Sequence, residues 1–554
     1  MSPHRTRAWL ADRRLHEFLW FCVPGVIVGL VLRAWLMAAL PYGYYHPDTH
    51  DFMTTAFVLQ AHHHWAVHGK TTFLTPLLYA LAFFPKLPAL MVIPLAQHAR
   101  GLLLVLMTGA LARLWFIRWR WWIVPMTILV AAQPAMLFWE HTLMSESGFV
   151  FCAVGLALAG TVFVRWPGRE AYGGLLAAMF CVAAARPEGN LWQGVGVLLV
   201  LLVYRGCWKR EWIKIAGVAA VAVGMLAITK TSHSGLLLYA SLVHLTPDHP
   251  RAVPDFGPYI QPLRDRMIAA RNERVSDDVV RTSKRVNEAL AAYIKDHPHA
   301  RLGLAYDKKQ FQREQEAGQT DADPEVDLRY SNNISAVCRR LAIESALAHP
   351  LALPGYAWRK FRAPIDADSG GRFEDYEFHQ KQAYSLTGKP AISKQLGLGL
   401  IGSPLDTPEQ ARAFVDQHYD LGKVGWFNRL ETRWQATVDA LHLPDTRYSA
   451  TYTLPGLPVY HLLGMLGAAV ALFRPGALRR FHQGFVPVMV GAWFAVMLTA
   501  AVIPRHRFVW EPFWLLYGFF FLDSVVEWGV VIVRRVPHAT APTSITPAPA
   551  PALP

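Results

Sequence analysis

The sequence predicts an α-helical polytopic membrane protein with about ten transmembrane helices. The 554-residue chain is 53% hydrophobic and only 17% charged, whereas an average soluble domain is about 25% charged. Apolar runs of roughly 17–25 residues recur along the chain, and about 20 helical residues suffice to cross the hydrocarbon core of a bilayer. Short connectors rich in lysine and arginine separate many of these runs, which is typical of loops on the cytoplasmic side.

Seven spans are predicted before the middle of the chain and three after it. The first seven lie at about 17–40, 90–116, 121–139, 148–164, 172–185, 191–204 and 215–228. The last three lie at about 454–473, 485–503 and 508–533. The first apolar run is too long for a signal peptide, and no small-residue cleavage site follows it, so we expect an uncleaved span.

These spans divide the chain into four predicted parts. Residues 1–229 form an N-terminal membrane domain that includes a first outer loop, 41–97. One helix of this loop is predicted along the membrane interface at 48–64, and a second, interfacial or re-entrant, at 71–84. Residues 230–453 form a large extracytoplasmic mixed domain between spans seven and eight, with helices at 278–294 and 334–348. Residues 454–535 form a C-terminal membrane domain. Residues 536–554, rich in proline, alanine and threonine, form a disordered cytoplasmic tail.

The charge pattern orients these spans. The net charge of +14 arises largely from the basic connectors, which favours the positive-inside rule over nucleic-acid binding and places both termini in the cytoplasm. The opposite, outer side then receives most of the unusual polar residues: Asp48, Asp51, Glu140, Glu146, Arg186, Glu188, Arg505 and Arg507. Because the basic connectors alone fixed the orientation, this convergence indicates a functional site on the extracytoplasmic face.

Two carboxylates and two imidazoles follow the first span within six residues. Asp48 and Asp51 share one face of a helix, and His46 and His50 flank Asp48. Helix capping after Pro47 explains one acid but not two. Carboxylates and imidazoles can also bind a divalent cation. The spacing is not a known zinc signature, so a metal at Asp48 and Asp51 stays an open alternative.

Three further polar groups stand at the outer ends of predicted spans. Glu146 immediately precedes an apolar run, where an acid is a functional candidate, although a helix cap would also explain it. Arg186 could bind an anionic head group or simply pair with Glu188 in a tight turn. Arg505 and Arg507 lie between spans nine and ten, and two guanidinium groups there suit a phosphate.

These segments together resemble a polyprenyl-phosphate-sugar-dependent glycosyltransferase of the GT-C superfamily, which includes protein mannosyltransferases and aminoarabinose transferases. Four segments and one turn carry the resemblance: Tyr45-His46-Pro47-Asp48; Thr75-Pro76-Leu77-Leu78-Tyr79 with Ile93-Pro94-Leu95-Ala96-Gln97; Leu143-Met144-Ser145-Glu146-Ser147; Arg505-His506-Arg507-Phe508-Val509-Trp510-Glu511-Pro512; and Arg186-Pro187-Glu188-Gly189. The resemblance covers the membrane part, and it implies a GT-C-like bundle of about ten spans.

The resemblance implies inverting sugar transfer from a polyprenyl-phosphate donor to a lipid, glycan or protein acceptor at the outer face of a bacterial inner membrane. Asp48 would be the catalytic base, and Glu146 would orient the acceptor or share a cation. Arg505 and Arg507 would bind the leaving phosphate. Four residues would complete substrate binding: His46, His50, Asp51 and Arg186.

Three other functions remain open from the sequence. A transporter or flippase of a lipid-linked glycan would bury ionisable groups near the bilayer midplane, whereas most of the distinctive charges here stand at span ends; Arg33 and Asp523 are the exceptions. A metal-dependent membrane hydrolase or phosphotransferase could use the acids and histidines of the first outer loop. A non-catalytic assembly protein could act through residues 230–453.

Overall fold

The computed structural model describes the chain in segments. They are 13–44, 73–82, 89–115, 119–186, 188–228, 234–272, 279–297, 302, 334–353, 447–449, 452–453, 459–473 and 509–535, with single positions at 49–59 and 410–433. The predicted ninth span, 485–503, the tail 536–554, and most of 354–446 lie outside the described residues.

The membrane part consists of helices connected mostly by short turns. Helix α1 is Arg13–Ala39, α2 is Leu74–Ala82 and α3 is Ala89–Trp115. A 3₁₀ turn, Arg120–Trp122, leads into α4, Ile123–Ala132, and α5, Pro134–His141. Then follow α6, Glu146–Arg165; α7, Arg169–Ala185; α8, Gly189–Val203; and α9, Trp208–Ile228.

Five of the described helices are long and apolar enough to cross a membrane. They are Leu19–Ala39, Leu90–Trp115, Glu146–Arg165, Trp208–Ile228 and Glu511–Val530. Arg120–Ala132 and Pro134–His141 together make a sixth span if their 46° bend lies within it. The predicted spans five, six and eight are helices of 17, 15 and 15 residues, shorter than the roughly 20 that cross a bilayer. The predicted count of ten spans therefore stays a prediction.

Small residues allow these helices to pack closely, as is common in membrane bundles. Helix α1 packs against α3 and α4, α3 against α6, and α6 against α7. A Cβ on Gly25 would lie 2.6 Å from the side chain of Thr127, and one on Gly109 would lie 2.1 Å from Cys22 Sγ. The outer faces of α1 and α9 expose large apolar side chains, including Trp20, Trp35 and Trp212. These faces suit contact with lipid tails.

The directions of the helices separate two ends of the bundle. The basic end holds Arg113, Arg120, Arg165 and Arg169, and there Arg165 donates a hydrogen bond to the Leu114 carbonyl. Because successive helices run in opposite directions, the other end collects Tyr44, Leu90, His141, Glu146 and Arg186. We call it the loop end, and it holds the described members of the predicted outer-side set.

A second hydrophobic core lies in residues 234–353. It is built by α10, Ser234–Leu242; α11, Gly257–Asn272; α12, Val279–Asp296; and α13, Ile334–Ala348. The helices predicted at 278–294 and 334–348 are confirmed within two residues. Two short antiparallel strands, β1, Arg447–Ser449, and β2, Tyr452–Thr453, precede α14, Val459–Phe473, and α15, Glu511–Arg535. Helices α14 and α15 pack against each other, and α15 returns to α3 and α4.

Candidate functional site

The start of the first outer loop is bonded to the connection between α5 and α6. The Tyr44 amide donates to the His141 carbonyl at 2.8 Å, and the Leu143 amide donates to the Tyr44 carbonyl at 2.9 Å. The buried Thr49 hydroxyl donates to the Leu143 carbonyl at 2.9 Å. Gly43 permits this approach, because a Cβ there would lie 2.7 Å from the Leu143 side chain. The residues on both sides of 45–48 are therefore held at the loop end.

Glu146 and Arg186, both predicted from the sequence, form an ion pair. Glu146 opens α6, is 1% exposed and accepts a hydrogen bond from Arg186 Nη1 at 2.7 Å. The turn between α7 and α8 also contains the local pair considered above, since Arg186 Nε and Nη2 donate to the Glu188 carboxylate at 3.1 and 3.2 Å. One guanidinium thus joins two carboxylates that lie 42 positions apart in the sequence.

The electrostatic balance at Arg186 favours its charged form. Burial lowers the pKa of Arg186, but the carboxylates of Glu188 and Glu146 outweigh burial and hold the pKa above its ordinary value. The Arg186 guanidinium also lies 6.0 Å from the centroid of the Phe149 ring, within the range of a cation–π contact. Arg186 is therefore a fixed cation at the loop end.

A second cation, Arg100, lies against the first turn of α6. A Cβ on Gly148 would be 3.1 Å from Arg100 Nη1, so this glycine makes room for the guanidinium. Arg100 is partly buried, and its buried Nε has no hydrogen-bond partner in the described structure. Of the charged groups near the Tyr79 phenol, Arg100 lowers its pKa and Glu146 raises it, while burial, the largest effect, raises it overall.

Tyr79 and Gln97 stabilise the connection before Glu146. The Tyr79 hydroxyl and the Gln97 side-chain amide each donate to the Met144 carbonyl at 3.1 Å, and Gln97 also donates to the Tyr79 oxygen. All three hydrogen bonds are buried. Tyr79 belongs to α2, which confirms the short helix predicted at 71–84. This helix places a neutral phenol beneath the Glu146 turn.

A buried ionic network lies deeper in the bundle. Arg33 on α1 donates two hydrogen bonds to the Glu140 carboxylate, at 2.7 and 2.6 Å. His98 Nδ1 lies 3.1 Å from the same carboxylate, and His98 Nε2 lies 3.2 Å from His141 Nδ1. Each of the four side chains is at most 3% exposed. Gly101 makes room for the carboxylate, because a Cβ there would lie 2.1 Å from Glu140 Oε1.

The sequence predicts Glu140 on the outer side but does not predict its contacts with Arg33 and His98, or the contact of His98 with His141. The sequence does carry a signal for the network, because Arg33 and His98 interrupt apolar runs, where an ionisable side chain requires a partner. Arg100 carries the same signal. The partners, 42 to 107 positions away, are visible only in the folded chain.

Six predicted site residues lie outside the described residues: His46, Asp48, His50, Asp51, Arg505 and Arg507. The metal alternative at Asp48 and Asp51 lies there as well. Within the described segments, no group of three or more histidine, cysteine, aspartate or glutamate side chains is placed to hold a metal ion. The roles of these six residues stay predictions.

Comparisons with known proteins found structural matches of low similarity. No protein-family model matches the chain, and a search of curated proteins found no match. The crystal structure of ArnT from Cupriavidus metallidurans bound to undecaprenyl phosphate aligns with 97% of this chain and 82% of that chain, at 13% identity and a TM-score of 0.29. Its apo state aligns with 92% and 79%, at 13% identity and a TM-score of 0.28.

Proposed function

We propose that the protein is an integral-membrane inverting glycosyltransferase that moves a sugar from a polyprenyl-phosphate donor to an extracytoplasmic acceptor. The observation that carries the proposal is the buried Glu146 carboxylate, held by Arg186 at 2.7 Å, with Arg100 against the same helix turn. A largely buried site that combines a fixed acid with guanidinium groups can bind an amphiphile with an anionic head and stabilise charge that develops during transfer.

The described site has too little positive charge to bind a phosphate by itself. Glu146 and Glu188 balance Arg186 and Arg100, so these four side chains sum to zero. A phosphate-linked donor would bring negative charge into this site. The predicted phosphate ligands Arg505 and Arg507 would supply two more guanidinium groups. Arg186 is already engaged by two carboxylates, so we assign Arg100, rather than Arg186, as the third cation that faces the phosphate.

The proposed reaction is a single displacement. Asp48 removes the proton from the acceptor hydroxyl or amine as that oxygen or nitrogen attacks the anomeric carbon. The bond from the anomeric carbon to the phosphate oxygen breaks, and the polyprenyl phosphate leaves with the electron pair. Glu146, fixed by Arg186, orients the acceptor. A divalent cation shared by Asp48, Asp51 and Glu146 remains compatible with this scheme.

The proposal predicts that Asp48→Asn abolishes most of the transfer activity. A general base typically contributes about 10²–10⁴-fold to the rate, so we expect a loss in that range. The full chain is reconstituted in liposomes and given radiolabelled polyprenyl-phosphate sugars with lipid, glycan or peptide acceptors. Formation of a new glycosidic bond and release of polyprenyl phosphate are measured with and without EDTA.

Glu170→Gln is the matched control, because Glu170 is an exposed acid at the basic end of the bundle. Glu170→Gln should leave the rate of transfer unchanged. Normal turnover by Asp48→Asn would contradict its role as the base. Loss of activity in EDTA would assign the cation to the mechanism.

Arg100→Gln should raise the KM for the donor, because Arg100 is the cation assigned to the donor phosphate.

The buried Arg33–Glu140–His98 network favours one second candidate. Ionisable groups inside a membrane bundle are common in transporters, so a flippase for a lipid-linked glycan is the alternative. Movement of the glycan across the liposome membrane without a new glycosidic bond would establish it and exclude the transferase.

A further inference from the structure

Two tryptophans mark the ends of the lipid-facing side of α1. Trp20 and Trp35 lie near the two ends of this helix, and their side chains are 80% and 50% exposed. The helix rises about 22 Å between them, most of the roughly 30 Å of the hydrocarbon core. Exposed apolar side chains such as Ile27 and Leu30 lie between the two. Because tryptophan concentrates at both edges of the hydrocarbon core, Trp35 lies at the level of the lipid head groups at the loop end.

Trp35 contacts the large segment between spans seven and eight. Its ring stacks on that of Trp426, with the ring centroids 4.2 Å apart and the ring planes inclined by 21°. Trp426 also packs against the hydrophobic core of the membrane helices. Arg33, two positions before Trp35, is buried in the ionic network, so Trp35 projects from the opposite side of α1. The stack therefore joins residue 426 to α1 at the edge of the bilayer.

Two arginines follow Trp426 at helical spacing. Gly425, Trp426, Arg429 and Arg433 are each helical, and both arginines are exposed. A Cβ on Gly425 would lie 3.7 Å from Arg429 Nη1, so this guanidinium extends back along its own helix turn. Arg433 lies one turn further on the same face. Among the described residues, no hydrogen bond or ion pair engages Arg429.

The charge of this stretch is complementary to an anionic membrane surface. Residues 423–433 contain three basic side chains and one acidic side chain. A guanidinium group binds phosphate oxygens in a bidentate manner. Basic side chains beside aromatic ones are typical of helices that lie in the membrane interface.

We propose that Trp426, Arg429 and Arg433 form an interfacial anchor that holds the large segment on the outer leaflet by binding the phosphate of an anionic phospholipid. The stacked tryptophans set the depth of the anchor. The two guanidinium groups, within two turns of Trp426, meet the lipid phosphates at that depth, and the acyl chains lie along the exposed apolar side of α1. The anchor does not depend on which reaction the loop end performs.

Photocross-linking of the full chain in nanodiscs tests the anchor. A phosphatidylglycerol with a diazirine near its head group is added at low mole fraction to phosphatidylcholine nanodiscs, and mass spectrometry locates the cross-linked lipid. We expect labelling within residues 425–433 and next to Trp35. Each basic residue at an anionic surface contributes about fivefold to binding, so Arg429→Gln/Arg433→Gln should lower this yield by about 25-fold. An unchanged yield would overturn the proposal.

The double variant Arg266→Gln/Lys284→Gln is the matched control. It removes two exposed positive charges from α11 and α12 and should retain the wild-type yield. An equal loss in this control would mean that net charge alone attracts the lipid, which would refute a built anchor.

Two other occupants of this face would also overturn the proposal. Displacement of the probe by undecaprenyl phosphate at a tenfold lower mole fraction than by unlabelled phosphatidylglycerol would assign the face to that lipid. Two copies of the chain per nanodisc, with no cross-link at Trp35, would assign it to a second copy.

Hydrogen exchange of the peptide that covers residues 425–433 measures the anchoring itself. In wild type, exchange should be slower in nanodiscs with phosphatidylglycerol than in phosphatidylcholine alone, and this difference should vanish in Arg429→Gln/Arg433→Gln. Trp426→Ala should speed exchange by about two- to tenfold through loss of the stack, and Trp426→Phe should restore part of the protection. Equal exchange of the wild-type peptide in both lipids would reject the anchor.

Discussion

Arg186 connects parts of the site that the sequence keeps far apart. It reaches Glu146 at the start of α6 and Glu188 in its own turn, at distances of 2.7 and 3.1 Å. Glu146 is almost fully buried, whereas 23% of the Glu188 side chain is exposed. Breaking a buried pair leaves an uncompensated charge, while a partly exposed carboxylate can be solvated. The two carboxylates should therefore respond very differently to mutation.

We expect Arg186→Met to destabilise the protein by about 3–5 kcal/mol, because the Glu146 carboxylate would stay buried without its guanidinium. Glu188→Gln, the matched control, should cost about 1 kcal/mol or less, since it keeps the Glu146 pair. Adding Glu146→Gln to Arg186→Met should recover most of the loss by removing the uncompensated charge. Unfolding of the purified protein in detergent measures all three, and equal losses from Arg186→Met and Glu188→Gln would contradict the assignment.

At the level of helices, close approach depends on glycines at particular crossings. Helices α14 and α15 meet where a Cβ on Gly467 would lie 1.9 Å from the Tyr517 carbonyl oxygen. A backbone atom cannot move aside as the end of a flexible side chain can. Gly464 faces Trp514 in the same way, at 2.8 Å. This pair of glycines sets the distance between the two last described helices.

Gly467→Ala should therefore separate α14 from α15 and destabilise the protein by about 1–3 kcal/mol, as overpacking of a close contact does. Gly529→Ala provides the control on α15, because no atom lies within 4 Å of a Cβ there. The control should be neutral or slightly stabilising, since alanine favours helix more than glycine does. Thermal unfolding of both variants is the measurement, and an unchanged midpoint for Gly467→Ala would show that the helices do not cross here.

At the scale of the whole molecule, the basic end and the loop end are separated along the bundle. The sequence predicts that the basic end faces the cytoplasm. Cys207 lies in the turn between α8 and α9, next to Arg205 and Lys209, and its side chain is exposed. This cysteine is a natural reporter of the orientation.

A variant that keeps Cys207 as its single cysteine should react with a membrane-impermeant maleimide in inside-out vesicles but not in right-side-out spheroplasts. The physical reason is the positive-inside bias of Lys and Arg in short connectors. Mass spectrometry of the labelled protein measures the modification. The reverse pattern of labelling would contradict the predicted orientation.

Cys338 should behave differently, because it is buried in the core of residues 234–353. Burial raises the pKa of its thiol to about 12, so about one thiol in 10⁴ is ionised at pH 8, and the thiolate is the reactive form. A variant that keeps Cys338 alone should be labelled in neither preparation until urea unfolds this core. Rapid labelling of the folded protein would show that the core is open.

Periodicity and composition were sufficient to predict the long membrane helices. A bilayer requires long apolar runs, and an α-helix forms all its backbone hydrogen bonds within its own segment. The predictions of α2, α12 and α13 from sequence are also confirmed, although none of the three is a long apolar run: α2 has nine residues, and α12 and α13 belong to the core of residues 234–353. Charge bias also brought Glu140, Glu146, Arg186 and Glu188 to one side. The count of ten spans and the roles of Asp48, Arg505 and Arg507 stay predictions.

The sequence by itself determined the membrane class of the protein, most of the described helices and the gathering of Glu140, Glu146, Arg186 and Glu188 at one end of the bundle, since these follow from local hydropathy and charge. Only the tertiary structure decided which charges meet: Arg186 with Glu146, and Arg33 with Glu140, His98 and His141. Such contacts depend on the packing of helices remote in sequence, where glycines at 101 and 148 leave room for the Glu140 carboxylate and the Arg100 guanidinium. No local pattern encodes that geometry.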